Sequence, residues 1–174
     1  MRAGNFYADF VYEKRTISEI VNKSSASNTI FGLLQYGNNA TVEISLKEFT
    51  DSEKFNQKMN SMSWKTDGIN LKAGLEKAAE LFHKEGRPKA RKVLVVFTDA
   101  RVPDTVENVI KYREQLEKKG LMIITIAVGD IADDEHLIAL SSKNKTIKPK
   151  ESFGDLKKTE ELAGLVEDEI FTGR

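Results

Sequence analysis

Apolar residues along the chain follow two rhythms, one near helical spacing and one of continuous or alternating runs. From Asn5 to Val21, Phe6, Phe10, Ile17 and Ile20 recur mostly at helical spacing, and "VNKSSASN" ends the pattern, which predicts a helix and then a loop. Next, "TIFGLLQY" (Thr29 to Tyr36) is a short apolar run, "GNNA" punctuates it, and in "TVEISL" Val42, Ile44 and Leu46 alternate with polar residues. This predicts a hairpin whose second strand has one wet face. "TDSE", Thr50 to Glu53, matches a capping box with Thr50 as the cap, opening a short helix to about Met59. A longer helix is predicted from about Ile69 to Lys84, with Leu71, Leu75, Ala78, Ala79 and Phe82 on one face and "KEGRPK" as its stop.

The second half repeats a strand-helix alternation. "KVLVVFT" and "LMIITIAVG" are apolar throughout; between them Val106, Val109, Ile110 and Leu116 give the stripe of a helix, with Pro103 in its first turn and Gly120 at its close. "DDEHLIALSS" reads as a short helix, "TIKPKESF" as an edge strand tolerant of Pro149, and "DLKKTEELAGLVEDEIF" as a last amphipathic helix. Strands apolar on both faces, each followed by an amphipathic helix, require helices on both sides of a mostly parallel sheet with right-handed crossovers. The fold class is therefore doubly wound α/β. Ligands on such folds sit outside the carboxyl ends of the strands. Asp99 stands at one such end, in "VVFTDAR".

Composition adds limits. A length of 174 residues with 40% hydrophobic content suits one domain, residues 1–174, with a full core. Basic and acidic residues balance at 27 each, which removes the usual signal for nucleic acid or anionic membrane surfaces. No apolar run approaches the roughly 20 residues of a spanning helix, so membrane insertion is not expected, and there is no apolar signal core. Cysteine is absent, which removes disulfides, thiolate metal sites and Cys nucleophiles. Asn22, Asn39 and Asn144 open glycosylation-type triplets, a weak tilt toward secretion.

Four roles compete for Asp99. It caps the following segment; it is a phosphoacceptor, although no acidic pair precedes the hairpin; it serves a hydrolase, although G-x-S-x-G is lacking and His83 and His136 fall within helical patterns; or it helps to hold a divalent ion. No glycine loop for phosphate is present. The enzyme classes weaken together.

"NTIFGLLQYGNNATVEISLKEFTDSEKF", "WKTDGINLKAGLEKAAELF", "RKVLVVFTDAR" and "GLMIITIAVGD", in that order and spacing, resemble the von Willebrand factor type A domain over nearly the whole chain. The resemblance implies a doubly wound sheet with one antiparallel edge strand, supplied by "TVEISL". It also implies a metal-ion-dependent adhesion site, in which a D-x-S-x-S motif, a threonine and a T-D-G aspartate hold magnesium and a partner carboxylate completes the shell. The aspartate falls on Asp99, with Ala100 in place of the glycine; the threonine falls on Ile69, followed by Asn70. Isoleucine has no donor oxygen, whereas magnesium takes about six oxygen ligands. "RAGNFYADFVYEKR" resembles the start of the family's first helix, so the D-x-S-x-S motif and the central first strand are missing from the chain given.

The resemblance thus implies Asp99 as a remnant ligand only, with no cofactor expected and magnesium as the alternative. It implies a non-enzymatic module that binds a protein partner, matrix-borne or at a cell surface, as an extracellular part of a larger protein. Candidate contacts are Lys65, Asp67, Gly68, Ile69, Asn70, Asp99, Ala100 and Arg101, on loops reaching to Asp104 and from Gly129 to Asp134; Trp64 is expected to pack. In the family order the lost strand lies between "TIFGLLQY" and "KVLVVFT". Strands are spaced about 4.8 Å, so an empty slot parts those ladders by about 10 Å. Such a chain closes the gap, borrows a strand or is marginal.

Overall fold

The computed structural model describes residues 3–24, 28–63, 68–98, 103–128, 134–147 and 156–172. The elements run α1 (Ala3–Ser24), β1 (Leu33–Tyr36), β2 (Ala40–Ile44), a 3-10 turn (Leu46–Glu48), α2 (Ser52–Asn60), α3 (Leu71–Glu85) and β3 (Lys92–Thr98). After these come α4 (Val106–Lys118), β4 (Leu121–Ala127), α5 (Asp134–Leu140), a second 3-10 turn (Ser142–Asn144), β5 (Thr146–Ile147) and α6 (Leu156–Thr172).

β3 and β4 pair in parallel over their full lengths, Lys92 with Leu121 through Thr98 with Ala127, and β5 joins β4 in parallel at Thr125 and Ile126. Alternate side chains of this sheet enter two cores. Leu94, Val96, Leu121 and Ile123 pack toward Leu71 and Leu75 of α3, Val109 and Leu116 of α4 and Leu140 of α5. Val93, Val95, Phe97, Ile124 and Ile126 pack toward Ile20 of α1 and Leu162, Ala163 and Val166 of α6. Helices on both faces of a parallel sheet make this the doubly wound α/β plan, as the continuous apolar runs require.

The hairpin departs from a single sheet. β1 and β2 pair antiparallel, with an irregularity between Leu33 and Leu34, and form a two-stranded sheet apart from β3-β4-β5. Among the described residues no strand lies between β1 and β3. Both strands instead line an apolar slot of about 1000 Å³, closed by Ile17 and Ile20 of α1 on one side and by Leu75 and Ala78 of α3 on the other. The gap is neither closed nor bridged by another described strand. The hairpin is held by its own core, where Ile44 meets Val21, Phe55 and Met59, and the rings of Phe31, Phe49 and Phe55 stand edge-on with centroids 5.3 to 6.1 Å apart.

Several local expectations shift. Asp51, not Thr50, caps α2: its carboxylate accepts from the Lys54 N–H at 2.8 Å, while the Thr50 hydroxyl donates to Asp51. A carboxylate one residue nearer the helix is the stronger acceptor there. Pro103 lies before α4 rather than in its first turn, because the Thr105 hydroxyl accepts from Asn108 N–H and sets the start at Val106. β1 begins at Leu33, not Thr29, since β2 ends at Ile44 and offers the earlier residues no partner. β5 is described only at Thr146–Ile147; the rest of "TIKPKESF" lies outside the described residues.

Candidate functional site

The carboxyl end of the parallel sheet stays paired to its last residue, for Thr98 is buried and its carbonyl accepts from Val128 N–H at 3.0 Å. Lys65, Asp67, Asp99, Ala100 and Arg101 lie outside the described residues, as do Trp64 and residues 129–133. The tail of the Asp99 loop is fixed from two sides. Tyr112 of α4 donates its hydroxyl to Asp104 Oδ1 at 2.9 Å, and His136 Nε2 of α5 lies 2.9 Å from the Asp104 carbonyl. The hydrogen bond to Asp104 foremost, then burial, raises the Tyr112 hydroxyl above its ordinary pKa. His136 is thus a packed helix residue.

Gly68, Ile69 and Asn70 are brought against the β1–β2 turn. Gly68 adopts φ +118°, a region that favours glycine, and a Cβ there would collide with the Asn38 side chain. Asn70 caps α3: its Oδ1 accepts from Ala73 N–H at 3.0 Å, its Nδ2 donates to Asn38 O at 3.2 Å, and its N–H donates to Gly37 O at 2.7 Å. Both ends of the Asn70 amide are therefore engaged in holding the loop. Ile69 is 45% exposed. With Thr98 and Val128 it also lines the slot between the two sheets, so the candidate loop forms one end of that slot.

The described donors do not fit a hard cation. Ile69 offers no oxygen, the Asn70 oxygen already serves the helix, and among the described residues no three of His, Cys, Asp and Glu come together. Two contributors were missed in the sequence. Asn38 lies in "GNNA", which reads only as punctuation, yet it anchors both Gly68 and Asn70. Tyr36 reaches across the slot, its hydroxyl 3.5 Å from the Phe97 carbonyl; nothing in a strand-forming tyrosine signals that.

Residues 3–162 match the family model of the von Willebrand factor type A domain. The chain belongs to that family. Human matrilin-1 is 28% identical over 132 residues, which cover 73% of this chain and 26% of matrilin-1. Mouse integrin alpha-M is 24% identical over 128 residues, 70% of this chain and 11% of the integrin. This type A chain thus spans about a quarter of matrilin-1 and about a tenth of the integrin. Among solved structures, proximal thread matrix protein 1 from the mussel byssus, determined with a zinc-occupied MIDAS motif, superposes with a TM-score of 0.78 at 20% identity. That match covers 92% of this chain and 42% of the mussel protein. The SpRpn10 VWA domain gives 0.67 at 21% identity, covering 90% and 81%. These structural likenesses establish the fold.

Proposed function

We propose that this type A domain is a non-enzymatic protein-interaction module of adhesive or matrix type, which binds its partner largely without metal. The observation that carries the metal-independence is Ile69, half exposed at the family's threonine position beside an Asn70 amide engaged at both ends. Similarity to matrilin-1 and integrin alpha-M supports an adhesive role, with a matrix or cell-surface protein as partner and an extracellular setting within a larger protein. Residues 1–174 serve as a single type A domain in this reading. Contacts come from the loops at the carboxyl end of the sheet: Gly68–Asn70, an apolar-tipped element, with Lys65 and Asp67 just before it in sequence, and Asp99, Ala100 and Arg101 directly after β3.

The zinc-occupied motif of the mussel relative favours a second reading, a metal-dependent adhesion domain that keeps Asp99 as a ligand. Calorimetric titration of magnesium and manganese into the chain separates the two. The metal-independent reading expects no micromolar uptake. Micromolar uptake that disappears in Asp99→Ala overturns it.

A further inference from the structure

We propose that Asn39, in the turn between β1 and β2, is an N-glycosylation site that carries an oligosaccharide on its side-chain amide. This rests on the extracellular setting proposed above, since the modification belongs to secreted chains.

Three triplets have the acceptor pattern, Asn22-Lys23-Ser24, Asn39-Ala40-Thr41 and Asn144-Lys145-Thr146. An acceptor must offer two groups at once, the asparagine amide and the hydroxyl two residues later. The hydroxyls separate the three. Ser24 is fully buried at the end of α1, and the Asn22 Oδ1 accepts from Asn56 Nδ2 at 3.0 Å. Residues two apart on a helix do not face each other, so the Asn22 amide and the Ser24 hydroxyl diverge. Thr146 lies in β5, its hydroxyl 3.0 Å from Ser141 Oγ, 3.1 Å from Thr125 Oγ1 and 3.3 Å from the Leu137 carbonyl. Both hydroxyls are turned into the fold.

Asn39 and Thr41 are both exposed, one in the turn and the other near the start of β2. The turn is closed by Gly37 N–H, which donates to the Asn39 carbonyl at 2.8 Å. It is held to α3 by Asn70, whose N–H and Nδ2 donate to the Gly37 and Asn38 carbonyls. Neither the Asn39 amide nor the Thr41 hydroxyl enters these bonds, so a substituent on Asn39 Nδ2 breaks none of them. In the transfer, Nδ2 bonds to C1 of the first sugar of a lipid-diphosphate-linked oligosaccharide. The C1–O bond to the diphosphate breaks, the lipid diphosphate leaves with the electron pair, and the transferase takes one amide proton.

The place of the sugar gives it a role. β2 is the outer strand of a two-stranded sheet, and its other edge has no strand partner among the described residues. Exposed edges invite pairing with other chains, which a bulky hydrophilic group at the start of the strand obstructs. The sugar also stands one residue from Asn38, the anchor of Gly68 and Asn70, and so screens the hairpin flank of the candidate loop.

The test secretes the whole chain from cultured animal cells behind a cleavable leader. Sugars are mapped by glycosidase release in heavy-oxygen water and peptide mass spectrometry. One glycan-sized mass increment is expected, labelled at Asn39 and lost in both Asn39→Gln and Thr41→Ala. Both positions are exposed, so neither change is expected to disturb the fold. A secreted chain without sugar at Asn39 overturns the proposal. So does equal occupancy of Asn22 or Asn144, or sugar that persists in Thr41→Ala. The leader delivers the chain whatever its natural destination, so failure here strikes the site and leaves the adhesive reading standing. Sugar in this assay but none on the protein isolated from its natural source overturns the extracellular setting instead, and the proposal with it.

Discussion

β3 and β4 have the same length, are almost wholly apolar and are paired residue for residue, yet β4 is buried at six of its seven positions and β3 at two. Composition does not separate them; neighbours do. β4 lies between β3 and β5, while β3 has β4 on one edge and the slot on the other. A continuous apolar run announces that a strand is built to be covered on both faces. It does not announce whether both edges are filled.

The largest contrast lies in amide hydrogen exchange. Leu94 and Val96, bonded to β4, are expected to exchange roughly a thousandfold more slowly than Val93, Val95 and Phe97, since paired core amides approach global protection and unpaired ones do not. Uniform protection along β3, read by NMR or by mass spectrometry with fragmentation, would remove the difference between its edges.

Core truncation sharpens the same contrast. Ile126→Ala removes a fully buried side chain and is expected to destabilise by about 2 to 5 kcal/mol. Val95→Ala, at a half-buried wall of the slot, is expected to lose less per carbon removed. Urea midpoints at constant slope measure both, and equal losses per carbon would show β3 to be as well covered as β4.

The hairpin's tie to α3 gives a smaller effect. Gly68→Ala forces a positive φ on a residue with a Cβ and a collision with Asn38, at about 1 to 3 kcal/mol. Exchange is expected to rise in β1 and β2 while β4 keeps its protection. Matching rises in both sheets would mean that they open as one unit.

The smallest effect is on the outer face of α3. Hydrogen bonds from Lys84 and then Lys77 lower the Glu80 carboxyl to about 2 from its ordinary 4.5. A depressed folded-state value means that the contribution is present above about pH 4.5 and is lost as pH falls through about 2. Glu80 is solvent-exposed, so the change is small. Thermal midpoints of the parent and Glu80→Gln are expected to converge over that window, without altering the exchange contrast between β3 and β4.

Much of this was legible in the chain. "KVLVVFT" and "LMIITIAVG" placed both long parallel strands to within two residues, because a core strand and its run of apolar side chains end together. The helical stripe at Leu71, Leu75, Ala78 and Ala79 placed α3 for the same reason. The hairpin and β3 belong to separate sheets on either side of the slot. Other features hinge on partners distant in sequence. Thr29 to Gly32 have strand character but nothing to pair with once β2 ends at Ile44. Asn38 acts through Gly68 and Asn70, some thirty residues away, and no local spacing encodes that contact.

The Tyr36 hydroxyl lies 3.5 Å from the Phe97 carbonyl, at the outer limit of a useful hydrogen bond, and Gly74 leaves its ring room where a Cβ would press on it. This phenol is therefore a polar tie from β1 to β3 across the slot, and its ring, seated on Gly74, braces the hairpin against α3 as well.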